Sequence, residues 1–179
     1  MTKPLADNLL AKIIEEKGSF ALVYRRDRHL DRGGGRRVYF YFRPHLVLAM
    51  RKDKKELLEQ VRSSLGCGKI FEVRNQARWE LFSAKEAKRV IKVLKNHSFL
   101  NPNTEKVFQL WQEAIAVLLK YARKKINVEK GKRGFVSTWT DYEQKDLRRL
   151  FRIREEMKRY KKWSKGDYRW THTLLARPF

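Results

Sequence analysis

Arg37, Tyr39, Tyr41, Arg43 and His45 occupy alternate positions of one short stretch. An extended strand would set all five on one side. Arginine brings a rigid fork of donors that fits phosphate oxygens and guanine edges. Tyrosine brings a ring on which an unpaired base can stack. Residues 18–51 hold eight Arg and no Lys, so the charge comes with a fixed geometry. The row therefore reads as a surface for nucleic acid. The plainer alternative is a solvated sheet face carrying cross-strand aromatic pairs.

Catalytic signals are sparse. No Ser-His-Asp set stands out, and Gly33, Gly34 and Gly35 lack the Lys-Ser/Thr that follows a phosphate-binding loop. The four His are scattered and suit surface or phosphate contacts better than a metal site. Glu15 and Glu16 are adjacent, and clustered carboxylates can hold Mg²⁺. On a helix, neighbours point about 100° apart, so the pair reads as ordinary surface acids. Cys67 is the one cysteine, which excludes an internal disulfide and a cysteine-built zinc site.

The elements that must position these residues follow from periodicity. Leu5, Leu9, Leu10, Ile13 and Ile14 predict a helix over 5–17, stopped by Gly18. Phe20, Leu22 and Tyr24 alternate with Ser19, Ala21, Val23 and Arg25, a strand pattern. Over 36–51 the even positions Val38, Phe40, Phe42, Leu46, Leu48 and Met50 form a face to bury, broken only by Pro44. Leu57, Leu58, Val61 and Leu65 predict a second helix. Residues 69–74 and 78–82 predict a hairpin around Asn75, Gln76 and Ala77, with Trp79 and Leu81 inward and Arg78 and Glu80 outward. Parity in 69–74 is open, with Arg74 a possible member of the outer face. Ser83 with Glu86 predicts a capping box opening a helix to about His97. Asn101, Pro102 and Asn103 break the chain before a helix through Leu119. Asp141 to about Lys162 reads as a long basic helix with a thin apolar stripe, Leu147, Leu150, Phe151 and Met157. Gly131 and Gly134 suggest a linker. The division expected is a domain over 1–125 and a basic extension over 126–179.

The 179 residues carry a formal net charge of +23, with a pI near 10.4 and 42% hydrophobic residues. A core of one domain is affordable at that size, but so much self-repulsion calls for a polyanionic partner. Residues 120–179 hold 19 Lys and Arg against 7 acids, about twice the net charge per residue of the first 119. A generally basic protein or an anionic membrane surface are the alternatives. No apolar run is long enough to span a bilayer. Asp7, Glu15 and Glu16 argue against an uncleaved presequence.

Leu10-Ala11-Lys12-Ile13-Ile14-Glu15-Glu16-Lys17-Gly18-Ser19-Phe20 resembles the LAGLIDADG signature of homing endonucleases, with its trailing Ser-Phe. The likeness continues through Met50-Arg51-Lys52-Asp53-Lys54, Glu56-Leu57-Leu58, Gly66-Cys67-Gly68-Lys69-Ile70 and Phe108-Gln109-Leu110-Trp111, and is fainter at Ile153-Arg154-Glu155-Glu156-Met157. It implies an α+β fold, αββαββα, whose saddle-shaped antiparallel sheet lies on nucleic acid with helices behind. It also implies a binding face of Ser19, Ala21, Val23 and Arg25, with Tyr41, Arg43, His45 and Val47, extended by Arg37 and Tyr39.

The departures from the family are as informative. Active members place a metal-binding acid where Lys17 stands, and an ammonium there repels Mg²⁺. A family Lys after the third helix aligns with Thr104, with Lys106 displaced. Lys12 and Glu16 replace small residues where two motif helices pack, which argues against a homodimer. The resemblance then implies a protein that binds nucleic acid without cutting it, with no cofactor. RNA is favoured over DNA, as for an intron maturase or a ribosomal or other ribonucleoprotein component. The alternative is an active intron-encoded endonuclease, using Mg²⁺ on Glu15 or Glu16 or an acid from a partner chain. The expected setting is reducing and intracellular, an organelle (mitochondrion or chloroplast) ahead of a prokaryotic cytoplasm, with no membrane partner.

Overall fold

The computed structural model describes residues 4–30, 36–121 and 142–160, and for 26–30 and 36–40 the strand backbone alone. The elements are α1 (Asp7–Lys17), β1 (Gly18–Leu30), β2 (Arg36–Arg51), α2 (Lys55–Leu65), β3 (Lys69–Val73), β4 (Gln76–Leu81), α3 (Ala84–Leu94), α4 (Pro102–Lys120) and α5 (Gln144–Arg159). This is the expected α+β order. The glycine tip at 33–35, the linker at 131–134 and the side chains of Arg37, Val38, Tyr39 and Phe40 lie outside the described residues.

The strands form one antiparallel sheet in the order β1-β2-β4-β3. Strand β2 is its spine. The whole length of β1 pairs with it, from Gly18 opposite Leu48 to Leu30 opposite Arg36. Only Leu46–Arg51 pairs with β4 on the other side. Among the described residues no strand pairs with 36–45 on that side, and Pro44 sits there, where its missing N–H removes no ladder bond. The Phe42 N–H on the same edge donates to the Tyr142 hydroxyl at 3.3 Å.

Period two decides which face is dry. Phe20, Leu22, Tyr24, Phe42, Leu46, Leu48, Ala77, Trp79 and Leu81 are all buried, and the described helices supply the rest of the same core. Trp111 donates its indole N–H to the Ala21 carbonyl at 3.2 Å and ties α4 to β1. Trp79 donates to the Cys67 carbonyl at 3.0 Å. A Cβ at Gly68 would come within 2.4 Å of that indole, and its φ of +80° also demands glycine. Gly18 is constrained at the α1–β1 join, where a Cβ would lie 2.2 Å from the Ile14 carbonyl oxygen.

Two expectations need correction. The turn at the β3–β4 hairpin is only Arg74-Asn75, since Val73 pairs with Gln76. Asn101, Pro102 and Asn103 start α4 instead of preceding it. The Asn101 side chain accepts from the backbone N–H of Asn103 and Thr104, and Pro102 fills the first helical position. The boundary at 125/126 itself lies outside the described residues, but α5 beyond it belongs to the same core. Leu150, Phe151, Ile153 and Met157 are buried, with Phe151 against Tyr24 and Phe42. Asp146, buried, accepts from the Tyr121 hydroxyl at 2.8 Å and pairs with Lys120. Those bonds, the Tyr121 hydroxyl first, hold its carboxyl below the usual range. Among the described residues no helix is long and apolar enough to cross a membrane.

Candidate nucleic-acid interface

The face of the sheet opposite the helices is built by register. Ser19, Val47, Glu80 and Lys69 lie in one row across all four strands. Ala21 faces His45, Val23 faces Arg43 and Arg25 faces Tyr41. On the other flank, Ala49, Arg78 and Phe71 form a row, as do Arg51, Gln76 and Val73. Arg37 and Tyr39 continue β2 opposite His29 and Asp27, by backbone alone. Among the residues whose side chains are described, the rows carry Arg25, Arg43, Arg51, Arg78 and Lys69 against one acid, Glu80.

That acid lies beside His45. His45 Nε2 lies 3.4 Å from a Glu80 carboxylate oxygen, a contact without hydrogen-bond geometry. Burial pushes the imidazole below its usual value; Glu80 opposes this, and Arg43 and Arg25 add to it. His45 is thus held neutral at neutral pH. Its ring stacks on Phe82 at 4.6 Å, and the Arg43 guanidinium lies 3.8 Å over the same Phe82 ring. Arg78 donates to the Gln76 side-chain oxygen at 3.1 Å, and its Nε is buried without a partner.

The structure thus brings together Ser19, Ala21, Val23, Arg25, Tyr41, Arg43, His45, Arg78 and Glu80. Arg74 does not join them. It is exposed at the hairpin tip with φ of +54°, an uncommon state for a residue with a Cβ. Sequence reasoning missed Lys69, Phe71, Val73 and Phe82. Phe71 and Val73 are 42% and 43% exposed, unusual for their types. Inward Trp79, counted back through a two-residue turn, would have placed them.

The motif end is organised differently. Glu15 is a buried residue, not a surface acid. One carboxylate oxygen accepts from the backbone N–H groups of Leu100 and Asn101, at 2.6 and 2.9 Å. The other lies 2.7 Å from His97 Nε2. Burial raises its carboxyl, but the bonds from Asn101, His97 and Leu100 outweigh that and hold it below the usual range. Glu15 thus clamps the end of α1 to the start of α4. Lys17 is the exposed last residue of α1, a position where a cation suits the helix dipole. Glu16 and Lys12 are exposed, and Thr104 lies in the first turn of α4. Lys17 and Glu15 do not fit a divalent metal. Lys17 has no oxygen to give, both Glu15 oxygens are committed, and among the described residues no three His, Cys, Asp or Glu cluster. The Glu15 carboxylate is thus a structural anchor between α1 and α4.

The sequence matches no family model and no curated protein. Solved structures do match. The chain is similar to the homing endonuclease I-TnaI, with 14% identity and a TM-score of 0.65, covering 96% of this chain and 97% of that one. It is similar to the archaeal intron-encoded homing endonuclease I-Vdi141I, solved complexed with DNA, at 19% identity and a TM-score of 0.66, over 94% and 91%. I-SmaMI, solved bound to uncleaved DNA target in the presence of calcium ions, matches at 12% identity and a TM-score of 0.68. There the alignment covers 98% of this chain and 51% of that one, so this chain spans about half of I-SmaMI. These likenesses establish that the chain has the fold of LAGLIDADG homing endonucleases.

Proposed function

We propose that this chain is a nucleic-acid-binding LAGLIDADG protein that grips its target with the outer sheet face and does not cleave it. The observation that carries the reading is the composition of that face, with five cations and the ring of Tyr41 against one acid among the described side chains. The neighbours complexed with DNA support nucleic acid as the partner class. Arginine with unpaired-base stacking groups supports RNA as the preferred target, in the manner of a maturase or a ribonucleoprotein component. Each phosphate neutralised releases counterions, so binding weakens steeply with salt.

Loss of cleavage rests on Lys17 and on the commitment of Glu15. Purified protein with Mg²⁺ should leave duplex DNA intact, and Lys17→Glu should not fully restore cutting, because Thr104 stands where the family has a Lys. The second reading, an endonuclease, draws on the DNA-bound neighbours, and EDTA-sensitive double-strand cutting would establish it. The experiment that tests the partner class is sequencing of nucleic acid co-purified with the full chain, with RNase and DNase controls. One discrete RNA species is expected. DNA of one discrete sequence would overturn the RNA assignment, and no nucleic acid above background would overturn the whole reading.

A further inference from the structure

Strand β2 runs on past the end of β4, and a cavity of about 370 Å³ lies along the edge this leaves open. That volume falls in the range of roughly 300–1,000 Å³ typical of small-molecule sites. Rings from Tyr41, Tyr121 and Tyr142 line it, with the edge of Phe82, whose two faces are covered by His45 and Arg43. Arg43 and Lys85 are its charged lining residues, and no acid is among them. Tyr41, Arg43 and Phe82 also belong to the outer face, so cavity and face are continuous. The Phe42 N–H points to this edge and donates to Tyr142. Antiparallel geometry turns the Phe42 and Pro44 carbonyls the same way, as acceptors along one wall. Burial raises the Tyr142 phenol, so that hydroxyl keeps a proton to donate.

Flat aromatic walls, hydrogen-bonding groups on one edge and cations at the mouth suit a planar polar ring attached to an anionic chain. We infer that this cavity receives one unstacked base of an RNA whose paired stem lies on the outer face. The inference rests on the proposed nucleic-acid reading and deepens it, because a fully paired duplex has no base to offer. Stacking of a single base on such rings is sequence-tolerant, so the cavity selects an unpaired nucleotide more than its identity.

The test is fluorescence anisotropy of the full chain with three RNA hairpins. One is fully paired, one carries a single bulged nucleotide (each base in turn), and one carries an abasic bulge that bends alike but has no base. The bulged hairpin is expected to bind about 5- to 150-fold more tightly than the paired one. The abasic bulge should fall back to the paired value. Equal binding of bulged and abasic hairpins would overturn the inference while leaving the face intact. Failure to bind even the paired hairpin would remove the underlying reading as well. An equal gain from a bulged DNA hairpin would overturn the assignment to RNA. Ala84→Leu, which adds bulk at the cavity wall, should erase the bulge preference and keep paired-stem affinity; a retained preference would contradict the inference.

Discussion

Phe42 and Arg43 are neighbours in the chain and sit in opposite environments. Phe42 is buried among Tyr24, Tyr142 and Phe151. Arg43 lies half-exposed over Phe82 on the other side of the same strand. The inner face is fixed by packing, because every group there is needed to exclude water. The outer face has no described element packed on it, and its charge density does nothing for the core. The difference separates residues that hold the fold from residues free to serve a partner.

The largest effect should come from breaking the inner side wholesale. Deleting residues 126–179 removes Leu150, Phe151, Ile153 and Met157 from the core, so cooperative unfolding should disappear in circular dichroism melts. A sharp, unshifted transition would show that α5 is dispensable. Next, Phe42→Ala should cost about 3–5 kcal/mol in denaturant titration. A loss below 1 kcal/mol would put Phe42 outside the core.

The Glu15 clamp belongs to the inner side though it is polar. Glu15→Ala leaves the Leu100 and Asn101 N–H groups without their acceptor, at about 1–3 kcal/mol each. Because the folded carboxyl is held low, its contribution is complete above the ordinary glutamate value of about 4.3. It is lost as pH falls through the lower folded value. Acid titration of Glu15→Gln should therefore be flatter than wild type below about pH 4.5. Matching curves would mean that the carboxylate is not clamped.

The inner face was legible in the sequence because burial on one side forces alternation, and Phe20, Leu22 and Tyr24 with Phe42, Leu46 and Leu48 keep it strictly. The outer row of Tyr41, Arg43 and His45 follows from the same parity. What lay on β3 was not legible. Its turn, Arg74-Asn75, lacks the Asn-Gly or Asp-Gly pair that announces a two-residue hairpin, so Phe71 and Val73 had no assigned side. Glu15 and His97 are 82 residues apart, and no spacing rule joins them. Helix α5 reads as an extension because the charge rises over 120–179 and Gly131 and Gly134 suggest a linker before it. The Arg154 side chain is itself nearly buried, with its guanidinium on Glu155. Long cationic stems can cover apolar surface in this way, which hides a core helix in a basic tail.

The smallest effects on stability, and the most telling, belong to the outer face. Arg43→Ala should lose the cation–π contact with Phe82, worth about 0.5–1 kcal/mol of folding stability. Tyr41→Ala and Arg43→Ala, each titrated against the co-purifying RNA beside thermal melts, test the central claim most directly. Each should weaken binding by about 1–3 kcal/mol while the melts stay close to wild type. Wild-type affinity in both variants, with the fold intact, would place recognition elsewhere and contradict the account.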